Sequence, residues 1–299
     1  MEYHVEKLAS PNAVVGEGPV WNPEEKRLYW TDIYGGKLYS YDPVSKTNDL
    51  IHDGINVGGF RFNENGGLLL GSWEGIYLWD LENDYKLLRD GAINDTGINI
   101  RINDATAGPD GGFYCGTDAT NWENDVVFRI NPDKSIDVID EGVKLCNGMG
   151  FSPDESTFYS TDSLRKIIYK WDYNKIKKSV SNKNILVNLD DDSVGIVDGM
   201  TVDSEGFIWS AIWFGSKVMR FDPDGKLERE IHFPATQTSC PMFGGKDLNE
   251  LYVTTANAGT GDPPIGSEPK GYDNNAYRGG DLFKVTLDIQ GKLEHKTKF

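Results

Sequence analysis

Cysteine and positive charge are both scarce in this chain of 299 residues. Three cysteines, Cys115, Cys146 and Cys240, are too few and too widely spaced for a disulfide framework or a CxxC metal site, so we expect reduced thiols. Lysine and arginine total 30 against 47 aspartates and glutamates, which gives a formal net charge of −17. Such a charge repels phosphate backbones and anionic membranes, and it disfavours nucleic acid and membrane partners.

Long apolar runs are also missing. No run approaches the roughly 18 residues that a membrane-spanning helix needs, and the first residues do not form an apolar stretch behind a basic start. Helical patterning is weak, because no window of about twelve residues keeps apolar side chains at helical spacing without glycine or proline. Together with the reduced thiols, these absences predict a cytoplasmic protein built from strands.

An internal repeat organises the chain. A short apolar and aromatic stretch after a polar turn recurs six times, beginning near Leu28, Leu68, Phe113, Phe158, Phe207 and Leu251. The intervals of 40, 45, 45, 49 and 44 residues match the roughly 40 to 50 residues of a four-stranded propeller blade. A second strand follows each stretch, as in KLYSYDP and VVFRINP, so each repeat is a β-meander.

This period predicts an all-β fold, a six-bladed β-propeller, with residues 1–299 as a single domain. The least strand-like segment, residues 258–280, lies inside the last blade and is rich in glycine and proline. Long loops in compact domains are often functional, so we expect this segment to be a loop close to a functional site.

Polar residues interrupt the apolar pattern before four of the recurring stretches. Glu17, Asn103, Asn147 and Asp198 each precede the stretch of their repeat by nine to eleven residues. Matching offsets imply matching places in the blades, so the four side chains should meet around the propeller axis. Oxygen donors without cysteine or histidine suit Ca²⁺, Mg²⁺ or Mn²⁺ better than a zinc site. Each residue taken singly also fits an ordinary turn, which leaves a metal site and a structural role both open.

The sequence resembles the family of sugar lactonases that includes gluconolactonase and regucalcin. The similarity covers nearly the whole chain and is most specific in GEGPVWNPEEKRLYWTDI, NGMGFSPDESTFYSTDS and DGMTVDSEGFIWSAIW. The resemblance implies one divalent cation, Ca²⁺, Mg²⁺, Mn²⁺ or Zn²⁺, held by Glu17, Asn147 and Asp198, with Asp198 also the general base. It further implies substrate binding by Arg101, Asn103 and Asn121, the last in the neighbourhood where the family often has an acidic residue.

The activity that the resemblance implies is metal-dependent hydrolysis of a sugar lactone, such as gluconolactone, to its aldonic acid. The expected partner is the small-molecule lactone, and the expected assembly is a monomer or a small homo-oligomer. Two alternatives stay open: an organophosphate hydrolase of a related propeller type, and a non-catalytic calcium-binding propeller. Tyr29 to Asp32 also match the YWTD motif of extracellular receptor propellers, but the motif occurs only once.

Departures from the family pattern bear on the substrate. Residues 105–108 replace polar family residues and are expected to form an altered loop, and Phe214 stands where glycine is common. If Lys270 and Arg278 reach the cavity mouth, they favour a lactone with an anionic substituent, whereas if they face solvent an uncharged aldonolactone is expected. Three tryptophans near the predicted blade mouths are candidates for stacking on a sugar: Trp73, Trp122 and Trp213.

Overall fold

A computed structural model of the chain describes residues 3–82, 85–90, 92–93, 98–99, 101–118, 123–190, 195–259 and 268–299. These residues form strands and contain no helix, and six four-stranded antiparallel sheets and one two-stranded ribbon result. The six sheets follow one another around a ring, which confirms the predicted six-bladed β-propeller. Within the described ranges, the search for a helix able to cross a membrane found none.

The strands are numbered in chain order, and within each blade the strand nearest the axis comes first. Strand β1 (Val5–Ala9) belongs to the last blade. Blade 1 contains β2 (Gly16–Asn22), β3 (Arg27–Asp32), β4 (Lys37–Asp42) and β5 (Thr47–Asp53). Blade 2 contains β6 (Val57–Phe62), β7 (Leu68–Ser72), β8 (Gly75–Trp79) and β9 (Tyr85–Asp90). The ribbon pairs β10 (Ala92–Ile93) with β11 (Ile98–Asn99).

Blades 3 to 6 repeat the same arrangement. Blade 3 contains β12 (Ile102–Ala107), β13 (Phe113–Thr117), β14 (Asp125–Ile130) and β15 (Ile136–Val143). Blade 4 contains β16 (Cys146–Phe151), β17 (Thr157–Asp162), β18 (Ile167–Asn174) and β19 (Ser179–Asn188). Blade 5 contains β20 (Ile196–Val202), β21 (Ile208–Trp213), β22 (Lys217–Phe221) and β23 (Leu227–His232). Blade 6 contains β24 (Thr238–Gly244), β25 (Glu250–Thr255), β26 (Leu282–Thr286) and, outermost, β1.

The apolar core lies between neighbouring blades. Trp209 of blade 5 packs edge-on against Phe243 of blade 6, with ring centroids 5.6 Å apart. Tyr114 of blade 3 packs in the same way against Phe151 of blade 4, at 5.1 Å. Because each sheet buries both faces only against its neighbours, this packing fixes the blades around a common axis.

Each innermost strand breaks its pairing register near the same end of the ring. The shift lies between Glu17 and Val20 in β2, between Ile102 and Asp104 in β12, between Asn147 and Met149 in β16 and between Val197 and Met200 in β20. Strands β6 and β24 shift at the matching place. Such bulges turn side chains out of the alternating pattern and are frequent beside active sites.

Glycines allow the innermost strands to approach one another closely at the bulges. A Cβ atom on Gly58 would lie 2.0 Å from the carbonyl oxygen of Ile102. On Gly148 it would lie 2.7 Å from the carbonyl oxygen of Asp198. A larger residue at either position would push neighbouring strands apart, so glycine keeps the channel narrow where the predicted site residues lie.

The last described residues, 290–299, cross the opposite end of the channel and contact every blade. These contacts involve Leu248 in blade 6, Thr201 in blade 5, Phe151 in blade 4, Gly111 in blade 3, Phe62 in blade 2 and Glu24 in blade 1. Glu294 is buried there, 3.1 Å from the Nζ atom of Lys292. This C-terminal segment therefore covers the end of the ring opposite the bulges.

Candidate metal and active site

A cavity of about 530 Å³, part of which is its open mouth, lies at the bulged end of the ring. Its inner ring of residues lies on or directly before the innermost strands: Val15, Glu17, Asn103, Leu145, Asn147, Ile196 and Asp198. Its outer ring lies at or just after the end of the second strand of a blade: Ile33, Tyr34, Asp118, Ser163 and Trp213. The structure thus brings together the four residues singled out by their offsets in the repeat.

Two buried carboxylates dominate the inner ring. Burial raises the pKa of Glu17 well above its usual range, and the nearby charges of Asp198 and Asp104 raise it further. Burial, followed by the charge of Asp104, likewise raises the pKa of Asp198. No lysine or arginine of the described residues stabilises either carboxylate. The inner ring therefore concentrates negative charge in a place where only a bound cation or a proton can offset it.

Neighbouring groups hold these carboxylates in place. Glu17 Oε2 accepts a hydrogen bond of 2.8 Å from the backbone N–H of Gly18. The Cys240 thiol donates to the carbonyl oxygen of Pro241 at 3.9 Å and also counteracts the rise in the Glu17 pKa. The Asn147 side chain and the backbone N–H of Gly199 counteract the rise in the Asp198 pKa. Burial and the surrounding carboxylates, Glu17 first, raise the pKa of the Cys240 thiol. Cys240 is therefore a protonated donor here and not a nucleophilic thiolate.

Asp104 adds a third carboxylate close to the inner ring without lining the cavity. Burial raises its pKa to about 6, although Arg61 and the backbone N–H of Ala105 counteract the rise. Its Oδ1 accepts from the N–H of Ala105 at 2.6 Å. Asp104 contributes charge to the site from a distance, because it raises the pKa values of both Glu17 and Asp198.

The two asparagines keep their amide oxygens available. Asn103 Nδ2 donates to the carbonyl oxygen of Cys146 at 2.8 Å, so its amide nitrogen is occupied by the protein itself. The Asn147 side chain counteracts the rise in the Asp198 pKa. Two carboxylates and two amide oxygens form a hard donor set that fits Ca²⁺, Mg²⁺ or Mn²⁺. In the described ranges no three His, Cys, Asp or Glu residues are grouped as metal ligands, so a cation would depend on the amide oxygens as well.

Arg101 lies beside the cavity and is not one of its lining residues. Its guanidinium lies 3.7 Å from the ring centroid of Trp73, and its Nη2 donates to the Tyr34 hydroxyl at 2.7 Å. Its Nε lies 3.1 Å from Asp118 Oδ2, although that N–H is not aligned for a hydrogen bond. Trp73, one of the three candidates for stacking on a sugar, therefore contacts this arginine.

The structure also bears on the other residues predicted to lie near the substrate, namely Asn121, the two remaining tryptophans and residues 105–108. Asn121 and Trp122 lie outside the described residues. Trp213 lies in the outer ring. The expectation that residues 105–108 form an altered loop is wrong. Ala105 and Ala107 are buried in strand β12, which runs away from the cavity mouth. The turn signal of Gly108 and Pro109 applies only after this strand ends.

Phe214 has φ of 66°, in the left-handed region that favours glycine. Its ring packs against Tyr272 of the long loop, with centroids 4.7 Å apart. This contact gives a physical reason for an aromatic residue at a position whose backbone favours glycine. Phe214 anchors the long loop and is not itself a cavity-lining residue.

The two cations of the long loop do not line the cavity. Arg278 Nη1 donates to the carbonyl oxygen of Ala258 at 3.2 Å, and Lys270 is exposed. Among the described lining residues there are three carboxylates, Glu17, Asp118 and Asp198, and no lysine or arginine. The cavity is therefore acidic.

The fold and this cavity define a six-bladed propeller with a buried acidic site on its axis. The sequence pattern of the SMP-30/Gluconolactonase/LRE-like region family matches residues 15–257, and the chain belongs to that family.

Individual relatives agree with this membership. The chain is 34% identical to the pentonolactonase XacC of Haloferax volcanii, over 98% of both chains. It is 32% identical to the 6-deoxy-6-sulfogluconolactonase of Pseudomonas putida, over 82% of this chain and 84% of the relative. A solved structure of a luciferin-regenerating enzyme superposes with a TM-score of 0.88 at 25% identity, covering 99% of this chain and all of the other.

Proposed function

We propose that the protein hydrolyses a sugar lactone to its aldonic acid in a metal-dependent reaction. The observation that carries this proposal is the placement of Glu17, Asn147 and Asp198 in one cavity, where two buried carboxylates lack a cationic partner among the described residues. Relatives named as lactonases support the reaction class.

The proposed metal ligands are Glu17, Asn147 and Asp198. When bound, a divalent cation supplies Lewis acidity that polarises a lactone carbonyl. The backbone N–H of Gly18 holds the Glu17 carboxylate, and burial confines both carboxylates, so they are oriented before any substrate enters. Such preorganisation means that little rearrangement opposes the reaction.

Asp198 is the proposed general base. It takes a proton from water as the water oxygen forms a bond to the lactone carbonyl carbon. The tetrahedral intermediate then collapses, the bond between the carbonyl carbon and the ring oxygen breaks, and the ring oxygen leaves as a hydroxyl because it receives the proton that Asp198 took from water. Arg101 and Asn103 are proposed to bind substrate hydroxyl groups. Asn121 is proposed to assist them, by resemblance alone.

We expect loss of cation affinity when an inner-ring oxygen donor is removed. Glu17→Gln and Asn147→Ala should each weaken binding of the preferred cation by about tenfold or more, because each change removes a charge or an oxygen ligand. Calorimetric titration of chelated protein with Ca²⁺, Mg²⁺, Mn²⁺ and Zn²⁺ separately measures this. The matched control is Glu294→Gln, which changes a buried glutamate at the other end of the channel. Unchanged affinity in both cavity variants would exclude the proposed metal site.

An uncharged aldonolactone is the substrate that the acidic cavity favours. We expect kcat/KM for glucono-1,5-lactone and for a pentonolactone to exceed that of a 6-phosphorylated or 6-sulfonated lactone by about tenfold, because the lining carboxylates repel a second anion. The assay is a pH-indicator measurement at low and high salt, on chelated protein reconstituted with one cation at a time. A higher value for the anionic lactone that falls with salt would contradict this expectation. A phosphofluoridate assayed in parallel tests the organophosphate alternative.

A further inference from the structure

Two polar atoms in the outer ring lack hydrogen-bond partners among the described residues. Ser163 Oγ and Trp213 Nε1 are both buried and both unpaired, and their residues line the cavity. Ser163 is 1% exposed and Trp213 is 6% exposed. Buried polar atoms in native proteins nearly always have a partner, so unpaired ones in a cavity wall indicate a ligand or an ordered water molecule.

The two residues lie on adjacent blades. Ser163 directly follows β17 in blade 4, and Trp213 ends β21 in blade 5. Their neighbours in the inner ring are Asn147 and Asp198, on the innermost strands of the same two blades. The two unpaired atoms therefore flank the side of the cavity on which the proposed general base lies.

Arg101 and its contacts come from the other side of the ring. Arg101 directly precedes β12 in blade 3, and it contacts Tyr34 of blade 1 and Trp73 of blade 2. A ligand above Asp198 thus has the guanidinium on the side of blades 1 to 3 and the two unpaired atoms on the side of blades 4 and 5. A cyclic molecule with oxygens around its ring fits this arrangement.

We propose that Ser163 and Trp213 form a donor pair that binds two oxygen atoms of the lactone substrate on the side opposite Arg101. This proposal rests on the proposed function and extends it, because it assigns recognition of hydroxyl oxygens to two residues outside the metal ligands. Both groups can donate: the indole N–H only donates, and the serine hydroxyl rotates to suit its acceptor. A lactone that lacks these hydroxyls leaves both donors unpaired and binds more weakly.

Two variants, each of which removes one donor, test the pair. Ser163→Ala and Trp213→Phe each remove a donor and keep most of the apolar volume. We expect each variant to raise KM for gluconolactone about five- to tenfold, with kcat changed far less. Because neither donor bonds to the protein, the melting temperature should not fall in Ser163→Ala. Trp213→Phe also loses part of a buried ring that packs on Phe214, so a fall of a few degrees is expected there. A deoxy-lactone that lacks the matching hydroxyl should show no further penalty in that variant.

Thr161→Val is the matched control. The Thr161 hydroxyl is also buried and unpaired among the described residues, two positions before Ser163, but Thr161 does not line the cavity. The KM of the Thr161→Val variant for gluconolactone should equal that of the wild type. Calorimetric titration with the stable analogue glucono-1,5-lactam measures ligand affinity without turnover. This affinity should fall in both cavity variants and stay unchanged in the control.

The outcomes separate the two proposals. If the wild-type protein binds the lactam but hydrolyses no lactone, the proposed function is refuted. In that case, weaker lactam binding by both variants still supports the donor pair. Active wild-type protein with unchanged KM and lactam affinity in both variants overturns the donor pair, and the unpaired atoms are then a cost of the fold. Wild-type protein that does not bind the lactam also overturns it.

Discussion

Asp198→Asn is expected to lower kcat for lactone hydrolysis by at least about a hundredfold, because the amide cannot accept the proton of the attacking water. The change also removes a negative charge from the proposed cation ligands, so cation affinity should fall as well. Measuring kcat at saturating cation separates the two effects. Circular dichroism should show an intact fold, since the side chain keeps its shape and the inner ring loses a repulsive charge.

Asp104→Asn is the control for charge alone. Asp104 is buried and raises the pKa of Asp198, but it does not line the cavity. If the role of Asp198 were only electrostatic, the two variants would lose similar activity. We expect the loss of kcat in Asp104→Asn to be at least about tenfold smaller than the loss in Asp198→Asn. A kcat for Asp198→Asn within about threefold of wild type, at saturating cation, would refute its role as base.

Arg101→Ala should lower kcat/KM by at least about tenfold. Its guanidinium is fixed by Trp73, Tyr34 and Asp118, and this arrangement leaves Nη1 without a partner among the described residues. The variant also removes the contact between Arg101 and Asp118, whose side chain is 8% exposed. A fall of a few degrees in melting temperature is therefore expected as well.

Arg101→Lys distinguishes substrate binding from support of the fold. Lysine restores a positive charge beside Asp118 but lacks the planar fork that stacks on Trp73 and donates in fixed directions. We expect the melting temperature to recover and kcat/KM to stay low. Full recovery of kcat/KM with lysine would show that the ion pair is the whole function of this residue.

The repeat was sufficient to predict the blades, because strands two and three of each blade are apolar and follow turns of recognisable chemistry. The outermost strands escaped notice, since strands such as β5 and β15 are largely exposed and polar. The pairing of β1 with β26 also left no local signal in the sequence, because it joins residues about 280 positions apart, such as Val5 and Val285. Only the spatial closure of the ring reveals it.

The inner ring was predictable for a related reason. Similar offsets in the repeat place Glu17, Asn103, Asn147 and Asp198 at equivalent bulges, although no local pattern connects them. Apart from Trp213, the outer ring was missed: Tyr34 and Ser163 carry no unusual chemistry in the sequence. The available signal was their position, since each lies one or two residues after the second strand of its blade. Comparing this position across the six repeats could therefore have identified both residues.

The pairing of β1 with β26 has a consequence for how the protein folds. Val5 pairs with Val285, so the strand that contains Val5 stays without its partner until the chain has been made as far as residue 285. Contacts between residues so distant in sequence are slow to form, and an unpaired strand edge invites association with other chains meanwhile. Once closed, the ring has no terminal repeat from which fraying could begin. We therefore expect slow refolding with losses to aggregation, and a native state that persists because opening it requires several blades to separate together.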